Sequence, residues 1–145
     1  MESFLIVLRD QARDPKRRPD RALDDALARL SHILSQLAPA LGVEYRGPFV
    51  GIGAGREAFC LAVRAHAEGP HDPVWGARVC SAAPHRGLAA HWDLAAVSRQ
   101  RKPLVAQALP AFLAGYHEAV VAAARADTAA GQRLLALSQA LDPNH

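Results

Sequence analysis

Phe59-Cys60-Leu61-Ala62-Val63-Arg64-Ala65-His66 decides how this chain is read. Phe59, Leu61, Val63 and Ala65 alternate with Cys60, Ala62, Arg64 and His66, the period of two that marks a strand half-buried in a sheet. The same alternation recurs on both sides of it. Val43-Glu44-Tyr45-Arg46 alternates and Phe49 to Ile52 continues as an extended stretch after Pro48; Trp75, Ala77 and Val79 alternate with Arg78 and Cys80; Leu88, Ala90, Trp92 and Leu94 alternate with Ala89, His91 and Asp93. The links, Gly53 to Arg56, Glu68 to Pro73 and Ala82 to Gly87, carry the Gly and Pro that turns use. The middle of the chain, 43–97, therefore reads as a four-stranded antiparallel meander.

Outside that stretch the period changes to 3.6. Leu23, Leu27, Leu30, Leu34, Leu37 and Leu41 recur at spacings of four and three, behind Asp20, Asp24 and Asp25, which suit the positive end of a helix dipole. Pro39 and Gly42 predict that this helix frays near Ala38. Its leucine seam suits packing on the chain's own sheet, with a dimer seam as the sharper reading. Before it, Met1 to Asp10 is an apolar start, and the proline- and charge-rich run from Asp14 to Asp20 stops any helix carrying through. After the sheet, Leu104, Leu109, Phe112, Leu113, Tyr116 and Val120 follow helical spacing, with Pro103 in the first turn and Pro110 as a kink or break. Gly131 interrupts before a last helix through Leu134, Leu137 and Leu141. The expected fold is α+β in two layers: an N-terminal helix, the four-stranded antiparallel meander and two C-terminal helices, the first kinked at Pro110. A single domain, 1–145, divides into 1–42, 43–97 and 98–145.

Composition agrees. With 145 residues, 50% hydrophobic and 21% charged, the chain is too apolar for a disordered tail and long enough to bury a core without cross-links. Its formal charge of +3, built from 15 arginines and 2 lysines, is milder than the positive field of a dedicated nucleic-acid binder. Glu2 and the short apolar run Phe4 to Leu8 do not suit a signal peptide, and no run approaches the ~20 apolar residues of a membrane span. The expectation is a cytoplasmic protein with reduced Cys60 and Cys80.

Three features bear on chemistry. Gly51-Ile52-Gly53-Ala54-Gly55 looks like a nucleotide-binding turn, but Arg56 stands where the dinucleotide pattern needs glycine and the Gly-Lys-Ser/Thr of a phosphate loop is missing, so a hairpin turn or bulge is the better reading. His66, His71, Cys80, His85 and His91 lack metal-ligand spacing, and neither a metal nor a cofactor is expected. Ser98-Arg99-Gln100-Arg101-Lys102-Pro103 is the most pointed signal: cations at a helix start oppose the dipole, an arrangement better tolerated if an anion sits among them.

The expected sites are accordingly Ser98, Arg99, Arg101 and Lys102 for an anion or partner, and Arg64, His66, Arg78, His91 and Asp93 on the polar face of the sheet. No residue set assembles catalysis. The leading functional expectation is a small cytoplasmic binding or adaptor module, a homodimer, that engages a protein or acidic partner. A small-molecule site or small enzyme using His91, Asp93, His66 and Arg64 is the alternative, with nucleic-acid binding a weaker one and no membrane association.

Overall fold

The computed structural model describes residues 2–50, 58–66, 70, 73–82 and 89–144. Two helices open the chain, α1 (Ser3–Arg13) and α2 (Arg21–Leu41); four strands follow, β1 (Tyr45–Arg46), β2 (Phe59–His66), β3 (Val74–Ala82) and β4 (Ala89–Asp93); α3 (Lys102–Ala122) and α4 (Ala129–Leu141) complete it. The class is α+β, and the sheet is an antiparallel meander in the order β1-β2-β3-β4.

The octet that opened the sequence argument is β2, paired with β3 from Phe59↔Ser81 to His66↔Val74. Its alternation divides the two faces as expected: Phe59, Leu61 and Val63, with Ala77 and Val79 of β3, join the main core. Cys60, Ala62 and Cys80 instead form a small buried group of their own, on what is here termed the outer face.

Helix α2 starts where its cap residue dictates, Asp20 accepting from the Leu23 N–H at 3.0 Å. It does not fray at Ala38. The helix runs through Pro39 to Leu41, and the Gly42 N–H, at φ +64°, closes it on the Ala38 carbonyl at 2.9 Å. A proline so near the end removes one backbone bond, while Ala38 and Leu41, both fully buried, hold the last turn on the core. Leu23, Leu27, Leu30 and Leu34 are also fully buried and Leu37 packs against the same core, so the seam is consumed within the chain.

The N-terminal segment, which the sequence marks only as an apolar start, is a helix. Leu5, Leu8 and Gln11 form its buried stripe, and Gln11 Nε2 donates to the Arg17 carbonyl at 2.9 Å, tying down the charged connector. Helix α3 is continuous with Pro110 inside it, and of the described helices it has the length and mean hydropathy to cross a membrane. Val105, Ala106, Leu109, Phe112, Leu113, Tyr116 and Val120 are nevertheless core residues. Phe112 and Tyr116 meet Tyr45 of β1 at ring separations of 5.6 and 6.1 Å, which docks the short edge strand.

Gly131 does not interrupt α4; it lies in its first turn, where its N–H donates to the Thr128 cap hydroxyl at 3.0 Å. A Cβ there would lie 2.5 Å from the carbonyl oxygens of Arg125 and Ala126. Gly131→Ala is therefore expected to cost about 1–3 kcal/mol, read as a lower urea midpoint. Tyr116 offers the opposite sign. Its fully buried hydroxyl has no hydrogen-bond partner, and burial pushes its pKa up to about 12. Tyr116→Phe should raise stability by about 1 kcal/mol by removing an unsatisfied group.

Candidate functional site

The cations at the start of α3 have an anion, and the chain itself supplies it. Arg99 Nη2 donates to Asp24 Oδ2 at 2.9 Å, and Lys102 Nζ donates to Asp24 Oδ1 at 2.8 Å. Asp24 stands in the first turn of α2, where the dipole already favours a carboxylate. Its carboxyl is held below the ordinary value of 3.8, first by the Lys102 hydrogen bond and then by that of Arg99, with desolvation opposing. The Arg101 guanidinium lies over the Trp92 ring, 5.5 Å from its centroid. The backbone donors are spent too: the N–H groups of Arg101 and Lys102 both point to the Ser98 carbonyl, and Pro103 has none. A cleft of about 480 Å³, lined by Trp92, Val97, Ser98 and Arg101, lies beside this junction. The misplaced positive charge thus joins α3 to α2.

The outer sheet face gathers a different set. Arg46 pairs in register with Ala62, and Ala62 with Arg78, so two arginines flank one fully buried alanine. Arg64, two residues along β2, is opposite Gly76. The bare backbone at Gly76 lets the Arg78 side chain lie along the strand: a Cβ there would come within 3.3 Å of Arg78 Nε. Arg46 and Arg64 both act electrostatically on Cys60, and register places Arg78 on the same face, opposite Ala62. Arg46 also covers the exposed Phe49 ring at 5.7 Å. Among the described residues no carboxylate makes an ion pair with Arg46, Arg64 or Arg78, although Asp93 of β4 is the register partner of Arg78, and Arg78 Nε is buried without an acceptor. Glu44, just before the edge strand β1, accepts from the Ala65 N–H at 3.4 Å.

The expected sheet-face set is therefore split. Arg64 and Arg78 come together, and His66 follows at the end of β2, half-buried and opposite Val74. Asp93 is drawn away to the helices: its two carboxylate oxygens accept from Ser31 Oγ of α2 at 3.0 and 2.9 Å, and Oδ1 also from the Ala95 N–H at 3.0 Å. His91 pairs through its backbone with Cys80, while its side chain lies outside what the structure describes. Gly51 to Gly55, His71 and His85 lie outside the described residues altogether. Arg46 was missed. Its alternation with Tyr45 was visible in the sequence, but its place beside Ala62 follows from strand register, which no local pattern encodes.

No protein-family model, curated protein or solved structure matches this chain. The chemistry of the site therefore rests on its geometry.

The Asp24 junction has a pH signature. Because the folded carboxyl ionises at lower pH than the unfolded one, its stabilisation is present above about the ordinary value and is lost as pH falls through the folded value. Asp24→Asn should lower the urea midpoint at neutral pH, and its difference from wild type should shrink as the titration is repeated below pH 3.8.

Proposed function

We propose that this protein is a binding module that receives an anionic group of its partner on the outer face of the sheet, with Arg46, Arg64 and Arg78 as the contacting residues. The observation that carries this reading is the arginine cluster around Ala62, which makes no ion pair among the described residues, Asp93 opposite Arg78 being bound to Ser31, and which holds Arg78 Nε buried without an acceptor. Like charges gathered on one patch repel, and a buried unpaired donor costs about 1–3 kcal/mol. A phosphate or carboxylate group offsets both, and the planar guanidinium matches either one through paired hydrogen bonds.

The Ser98–Lys102 segment takes the lesser part in this proposal. Arg99, 63% exposed in its pair with Asp24, is the member placed to exchange that partner for another acid. A cytoplasmic setting, an adaptor role and a dimer belong to the same reading, but a dimer would use a surface other than the internal leucines. The alternative of a small enzyme at His91 and Asp93 is weakened by the engagement of Asp93 with Ser31.

Titration of the labelled protein with inorganic phosphate tests the proposal by NMR. Amide resonances of residues 62–64 and 76–80 should shift together and saturably. Arg78→Met should weaken the apparent affinity about tenfold, the loss of one charge-assisted hydrogen bond, whereas Arg29→Met on the exposed side of α2 should leave it unchanged. Shifts scattered over the whole surface, or confined to residues 98–102, would sink the assignment to the sheet. A repeat with a single-stranded oligonucleotide across a salt series separates a phosphate-backbone ligand from a small anion.

A further inference from the structure

Cys60 and Cys80 are register partners in the β2–β3 ladder. Both are free and buried, Cys60 at 0% exposure and Cys80 at 8%. With Ala62 they form a buried group apart from the main core. A buried cysteine is ordinarily an inert small hydrophobe. Two features distinguish this pair. Residues directly opposite in an antiparallel ladder have Cα atoms about 4.5 or 5.5 Å apart, within the roughly 4.4–6.8 Å that a disulfide spans. The guanidiniums of Arg46 and Arg64 favour the Cys60 thiolate, the kind of electropositive setting in which cysteines exchange. Burial, the larger effect, and the neighbouring Cys80 push the Cys60 thiol up, so Cys60 rests as a thiol.

We propose that Cys60 and Cys80 form a thiol–disulfide exchange site whose substrate is a low-molecular-weight disulfide of the glutathione class and whose product is a disulfide joining β2 to β3. Cys80, the less buried, attacks first: its thiolate bonds to one sulfur of the reagent, the reagent's S–S bond breaks, and one small thiolate leaves. The Cys60 thiolate then attacks Cys80 Sγ, forming the protein disulfide and expelling the second small thiolate. The dithiol gives up two electrons to the reagent, and the two protons shed by the cysteines end on the two leaving thiolates. Excess reduced thiol drives the same steps backwards.

The test uses the reduced full-length chain, incubated with oxidised glutathione at mildly alkaline pH, acid-quenched, unfolded, treated with a maleimide and weighed intact. The expected product is a monomer lighter by two hydrogens, with no maleimide added, and it returns to the dithiol on treatment with dithiothreitol. Cys60→Ala should halt at a stable single glutathione adduct on Cys80, and Cys80→Ala should react more slowly, through the deeper thiol. The proposal is overturned if wild type still takes up two maleimides, accumulates glutathione adducts without closing, or cross-links between chains. The wild-type measurement does not depend on any variant folding. Nor does it depend on anion binding, so it stands or falls separately from the proposed function.

Discussion

The antiparallel pairing of β2 with β3 is the constraint on which the rest depends. One eight-pair register sends Phe59, Leu61, Val63, Ala77 and Val79 to the helices and leaves Cys60, Ala62, Arg64, Arg78 and Cys80 together on the other side. A slip by one residue would exchange the two sets, placing arginines in the core and aromatics in water. The register is therefore held by the full cost of burying charge, and the same pairing that closes the core builds the arginine cluster and the cysteine pair.

The helices complete the arrangement through a few polar ties. Asp24 binds Arg99 and Lys102, and Ser31 binds Asp93, so α2 grips both the end of β4 and the start of α3. These are the turns of chain that leave the sheet, where apolar packing alone specifies little. An exposed ion pair of this kind contributes modestly to stability. Its effect is chiefly on position: it fixes where α3 begins, and with it the seat of Trp92 under Arg101.

The outer face has the opposite electrostatic character. At the α2–α3 junction the cations are ion-paired to a carboxylate; around Ala62 the described residues provide no such ion pair, Asp93 opposite Arg78 being held by Ser31. That contrast reverses the order in which the sequence ranks the two basic features, with the helix-start segment first. It favours the sheet as the surface toward a partner, and assigns the helix start mainly to holding the fold.

Periodicity was sufficient for most of the architecture, because an element that buries one face must repeat its apolar residues at its own pitch. The leucines of α2, the alternation of β2 and the stripe of α3 are all of this kind, and each element lies where its repeat placed it. Helix α1 was left unassigned because its eleven residues show little more than one apolar repeat before the prolines. Gly131 and Pro39 were misjudged as breaks because local propensity does not see the contacts that accommodate them. The sequence by itself determined which faces are apolar, and hence the α+β class and the meander. Only the tertiary structure decided which charges meet: that Asp24 answers Lys102, that Asp93 turns to Ser31, and that Arg46 joins Arg64 and Arg78. Burial repeats along the chain and leaves a periodic trace, whereas a salt bridge or a cross-strand neighbour joins residues whose separation in sequence has no period to read.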